Sequence, residues 1–146
     1  NPELSNEWRQ FRLNAITSLV NEIVDIAHSK NKKVSAAVFP FPEMSRQMVR
    51  QAWNDWNLDS AYPMLYNNFY RENINWIGFA TKQGVSDVDF PIHSGLYTGA
   101  LKNPGDFEKA YNHFKINNEL VNEIFTADGL NDEQKSFLVK LKNSKQ

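Results

Sequence analysis

The chain has 146 residues, no cysteine and a formal net charge of -1, with 41% hydrophobic and 23% charged residues. This composition excludes a disulfide framework, a thiol nucleophile and a thiolate metal site, and it offers no basic stripe of the kind that neutralises a phosphate backbone. The longest apolar stretch, Ala36 to Phe41 around Pro40, falls far short of the roughly 20 residues of a membrane span.

Ser5-Asn6-Glu7 offers an N-cap and an acidic first turn, and Trp8, Phe11, Ile16, Leu19, Val20, Ile23, Val24 and Ala27 follow a helical period. One long amphipathic helix is therefore predicted to end near Ser29, where Lys30, Lys32 and Lys33 complement a helix C-terminus. Val34 to Phe39 is a short apolar run without clean alternation, the pattern of a strand buried on both faces.

A second helix is predicted over Glu43 to Trp56, with Met44, Met48, Val49, Ala52, Trp53 and Trp56 inward. Leu58 to Tyr66 reads as the second strand, although Pro63 removes one ladder hydrogen bond. A third helix is expected from about Phe69 to Lys82, then a third strand over Phe90 to Tyr97. Phe107, Ala110, Tyr111 and Phe114 form a further helical stripe. Ile124 to Ala127 reads as the last strand, and Asn131 with Gln134 resembles a capping box opening the final helix.

The four apolar runs, Val34 to Phe39, Ala61 to Tyr66, Ile92 to Tyr97 and Val121 to Thr126, recur about every 30 residues, the length of one strand, one helix and two loops. The expected fold class is α/β: a partial (β/α)8 barrel of about four βα units. A complete barrel takes about 250 residues, so the chain is expected to be a single half-barrel domain that needs the other half or a homodimer partner to cover its open edges. A start at Asn1-Pro2 without Met fits a fragment or a processed product.

In such a barrel the chemistry lies at the strand exits. Tyr66-Asn67 and, one unit later, Tyr97-Thr98 are therefore the candidate ligand residues. Amides and phenols hydrogen-bond sugar hydroxyls, and aromatic faces stack on sugar C–H surfaces. Amide-rich turn chemistry is the alternative for Asn67. Most glycosidases need two facing carboxylates about 5 to 10 Å apart. Glu43, beyond the first exit, and Asp128, beyond the last, are the two candidates; each is also explained as a helix first-turn acid or a turn residue. Asp59, at the start of its strand, reads as a cap or ion-pair partner. His28, His93 and His113 are scattered without acids at ligand spacing, so neither a metal nor a cofactor is expected.

Trp8 and Phe11-Arg12, then Val34-Ser35-Ala36-Ala37-Val38-Phe39-Pro40, then Gln51, Trp53, Trp56, Leu58-Asp59, Pro63-Met64 and Tyr66, resemble the bacterial barrels related to the glycosyl-hydrolase-like 10 family. The resemblance implies a secreted or periplasmic carbohydrate-active protein, with these strands as the fifth to eighth of the barrel. It also implies an acidic motif at the fourth strand, which would precede Asn1. The expected function is thus the C-terminal half of a glycoside-hydrolase-like barrel that lines a carbohydrate cleft and is catalytically incomplete alone. The alternative is a non-catalytic carbohydrate-binding or self-assembling module.

Overall fold

The computed structural model describes residues 5–103, 105–115 and 129–143. Five helices and two short strands follow in the order α1 (Asn6–His28), β1 (Ser35–Val38), α2 (Pro42–Val49), β2 (Ser60–Pro63), α3 (Asn75–Asp87), α4 (Asp106–Lys115) and α5 (Asp132–Asn143), with 3-10 turns at Trp53–Asp55 and Thr98–Ala100.

The half-barrel expectation is overturned. Among the described residues the fold is mainly helical, and its one sheet contains only β1 and β2, paired in parallel with Ser35 opposite Ser60 and Val38 opposite Pro63. The predicted third strand meets β2 at two isolated parallel bridges, Ala61 to Ile92 and Met64 to Gly95. The two bridges share one register, and Pro63 explains the gap between them. On this side Ala61 N–H donates to the Pro91 carbonyl and Leu65 N–H to that of Gly95, but Pro63, which lies between them, has no N–H to give. The predicted fourth strand, Val121 to Thr126, lies outside the described residues. Among the described residues four βα units are not seen.

Two apolar clusters hold the elements together. Val24 of α1, Val38, Trp53, Trp56, Leu58, Ala61 and Ile92 form one, in which α1 and the two tryptophans cover the sheet. Leu65, Ile77, Ala80, Leu96, Leu101, Phe107 and Ala110 form the other, which joins α3 and α4 to the segment after β2.

Helix ends follow local chemistry. Ser5 caps α1, its hydroxyl accepting from Trp8 N–H at 3.3 Å. Asn131 and Gln134 close a reciprocal capping box at α5, with bonds of 3.0 and 2.8 Å. Helix α2 stops well before Trp56 because Arg50 takes a left-handed conformation at φ 63°. Helix α3 starts later than expected, since Asn67 to Arg71 coils into successive turns. The Asn67 carbonyl accepts from both Tyr70 and Glu72 N–H, and Arg71 is left-handed at φ 58°.

Asp59, at the start of β2, ties three segments together. Its Oδ2 accepts from Val34 N–H at 2.7 Å and lies 2.9 Å from His28 Nε2 at the end of α1. The His28 hydrogen bond, then the Val34 N–H, hold the Asp59 carboxyl below its ordinary range. A carboxylate with a lowered folded pKa stabilises the fold above its unfolded value, and that contribution is lost as pH falls through the folded value. Acid titration below about pH 4 is accordingly expected to destabilise the native protein more than the Asp59→Asn variant. Urea midpoints measured at neutral and acidic pH check this, and identical acid slopes for both proteins would refute it.

Candidate functional site

The segments leaving β2 and leaving the Gly95 bridge run side by side, because Leu65 N–H donates to the Gly95 carbonyl at 2.9 Å. Leu65 and Leu96 are both fully buried, so the residues that follow them are carried to the surface together. Tyr66 and Tyr97 thereby meet with ring centroids 5.7 Å apart. Phe69, delivered by the turn at Asn67 to Arg71, completes a triangle at 5.8 Å from Tyr66 and 5.7 Å from Tyr97. The two tyrosines are half-buried while Phe69 is 67% exposed, so the cluster presents an aromatic surface anchored from below. Tyr70 packs beside it on Trp76 at 5.0 Å.

Burial pushes the Tyr66 hydroxyl above its ordinary pKa, and burial together with the neighbouring Tyr66 does the same for Tyr70. Both phenols are therefore neutral near pH 7 and retain a hydrogen to donate.

The other candidates sit differently. Asn67 borders the cluster, but its Nδ2 donates to the Glu72 carbonyl at 3.0 Å, so the amide shapes the turn that presents Phe69. Thr98 is only 2% exposed; its hydroxyl is buried with no hydrogen-bond partner among the described residues, and its carbonyl accepts from Gln134 Nε2 at 3.4 Å. It lies beneath the surface rather than on it. Glu43 stands on the first turn of α2 with its side chain 61% exposed, 3.1 Å from Arg46 and 2.6 Å from Gln47 Nε2. Hydrogen bonds from Arg46 and then Gln47 lower its pKa, which suits a structural ion pair and not a proton donor working near neutrality. Asp128 lies outside the described residues.

No family model, curated protein or solved structure matches this chain. The arrangement must accordingly be read from its own chemistry. Among the described residues no group of three His, Asp or Glu is placed to hold a metal ion, and no helix is long and apolar enough to cross a membrane. Two cavities lie away from the aromatic cluster. One of about 140 Å³ is lined by Leu101, Phe107 and Phe137 beside α4 and α5; the other, of about 370 Å³, lies at the strand starts against Lys33, Asp59, Tyr62 and His93.

Phe69 is the residue that sequence reasoning misplaced, by assigning it to the start of a helix. The signal available was Asn67-Asn68 ahead of it, a pair that favours turns over helix interiors.

Proposed function

We propose that the chain binds carbohydrate without catalysis, through the surface formed by Tyr66, Phe69 and Tyr97. The observation that carries this reading is the three-ring cluster itself, with two anchored tyrosines and one largely exposed phenylalanine. A sugar ring presents axial C–H groups that pack on an aromatic face and equatorial hydroxyls that bond to phenols and amides at its margin. An exposed cluster suits a chain-like saccharide laid along a surface better than a small ligand enclosed in a pocket. A periplasmic or extracellular setting belongs to the same proposal. The glycosidase reading is weaker, because the Glu43 carboxylate is committed to Arg46 and Gln47.

Titration with a panel of soluble neutral oligosaccharides, followed by tyrosine fluorescence and amide chemical shifts, tests the proposal. Saturable binding is expected, with shifts centred on residues 66–70 and 97. Phe69→Ala is expected to weaken binding about tenfold, the loss of one well-made aromatic contact, while leaving the fold intact because Phe69 is exposed. Absence of saturation with every sugar, or unchanged affinity in Phe69→Ala, would overturn it.

A further inference from the structure

Side chains alternate between the two faces of the sheet, and the faces differ in kind. Val38, Ala61 and Ile92 enter the core from one face. On the other, the strand register sets Ser35 opposite Ser60 and Ala37 opposite Tyr62. Ser35 and Ala37 are exposed, and Ser60 and Tyr62 are half-buried. The bridges at Ile92 and Gly95 bring His93 beside Tyr62 on this face, where the two rings stack at 4.8 Å with 21° between their planes. Tyr66 and Tyr97 follow four residues further along the same two segments and share that parity. The aromatic cluster and the Tyr62–His93 pair therefore occupy one face, about 13 Å apart along the strand. Among the described residues only Phe39, Met64 and Gly95 share the face between them.

Beyond Tyr62 and His93 the cavity of about 370 Å³ opens at the strand starts, with Lys33, Ser35, Asp59 and Ser60 also in its wall. These groups are balanced in charge and in hydrogen bonding. Lys33 can only donate, an ionised Asp59 can only accept, and the two serine hydroxyls do either. The bonds from Val34 N–H and His28 both go to Asp59 Oδ2, so Oδ1 remains an acceptor. Lys33 is near enough to Asp59 to help hold its carboxyl ionised. An anion or a cation entering the cavity thus meets one attractive and one repulsive charge. A neutral molecule rich in hydroxyls bonds to both through charge-assisted hydrogen bonds, and its C–H surface packs on the stacked rings.

We infer that the carbohydrate-binding surface has a second subsite in this cavity, so that one neutral saccharide chain runs along the sheet face from Phe69 and Tyr97 to Ser35 and Lys33. The inference rests on the sugar-binding proposal and extends it from a patch to a track. From Ser60 to Tyr66 the strand direction alone covers about 20 Å. A disaccharide reaches one subsite, and a hexasaccharide reaches both.

Titration of the whole chain with the disaccharide and the hexasaccharide of the cello, chito and malto series, followed by amide chemical shifts, tests it. The disaccharide is expected to move residues 66–70 and 97, and the hexasaccharide to move residues 33–35, 59–62 and 93 as well. The hexasaccharide of at least one series is expected to bind about tenfold tighter than its disaccharide, the size of one charge-assisted hydrogen bond. Lys33→Ala is expected to remove that gain and to leave the disaccharide affinity as it was; Lys33 is exposed, so the fold is retained. Ser35→Ala combined with Ser60→Ala is expected to act in the same direction without changing the charge. Shifts confined to residues 66–70 and 97, with the hexasaccharide bound no tighter, would overturn the second subsite and leave the sugar-binding proposal standing. Absence of binding by every sugar would overturn both. A hexasaccharide affinity unmoved by either set of variants, or a disaccharide affinity that falls along with it, would also overturn the second subsite.

Discussion

Replacing Trp53 by alanine is expected to destabilise the protein by about 3–5 kcal/mol, the range for emptying a buried aromatic site. Trp53 is completely buried at the centre of the cluster that joins α1, the sheet and Ile92. Its ring lies 6.3 Å from that of Phe90, and its far edge reaches α3, where a Cβ on Gly84 would touch it at 3.4 Å. One side chain thus fills the space where these segments converge. Its Nε1 also donates to Ser45 Oγ at 2.9 Å, and that hydroxyl donates onward to the Phe41 carbonyl at 2.9 Å, which fixes α2 against the core. Trp53→Phe keeps most of the apolar volume and loses the donor, so it is expected to cost less, on the order of 1–2 kcal/mol. Urea denaturation of the two variants separates packing from hydrogen bonding. A loss below about 1.5 kcal/mol for the alanine variant would show that the site collapses to fill the void.

The second large effect is one of sign. Glycine inside a helix ordinarily costs about 0.5–1 kcal/mol relative to alanine, so Gly78, inside α3, invites a stabilising substitution. The opposite is expected. A Cβ at Gly78 would lie 2.8 Å from His113 Nδ1, 3.1 Å from its Cγ and 3.3 Å from its Cβ. The crowding reaches back to the His113 Cβ, which ring rotation does not move, so rotation alone does not clear the space. The helices α3 and α4 would have to part, and with them Ile77, Ala80, Phe107 and Ala110 of one cluster. Gly78→Ala is therefore expected to cost about 1–3 kcal/mol, as overpacking does. In a His113→Ala background the same change is expected to be neutral or stabilising. Thermal melts of the four proteins in this cycle decide the matter; a destabilisation that persists without His113 would place the strain elsewhere.

How far the sequence could be read depended on whether the deciding interaction was local. The ends of α1 and the capping box of α5 are settled by side chains within a few residues, and both were legible. The length of α2 was not, because the apolar spacing continued to Trp56 while Arg50 turned left-handed and Trp53 entered the core from a 3-10 turn. The barrel reading failed on spacing taken as architecture. Apolar runs about 30 residues apart are compatible with a strand at each repeat, but a ladder also needs a donor at every second residue, and Pro63 lacks one where the third strand would pair. Of the site, Tyr66 and Tyr97 were legible from their position after buried runs. The burial of Thr98 beneath Gln134 depends on a tertiary neighbour that no pattern encodes, whereas the turn bond of Asn67 to the Glu72 carbonyl and the pairing of Glu43 with Arg46 and Gln47 are local contacts whose spacing the sequence already contained.

The parallel register of β1 with β2 also constrains the order in which the chain acquires structure. Antiparallel neighbours can zip from a tight turn, but Ser35 meets Ser60, and Ala61 meets Ile92, only after all the intervening chain has been folded back. Loop closure must therefore precede any gain from the strands, whereas α1 needs only its own residues and its cap. Helix α1 can therefore form before the sheet, while pairing the strands and packing Val24, Trp53 and Ile92 close loops of similar length. Folding speed should then depend on the residues that bring α1, the Trp53 turn and the strands together.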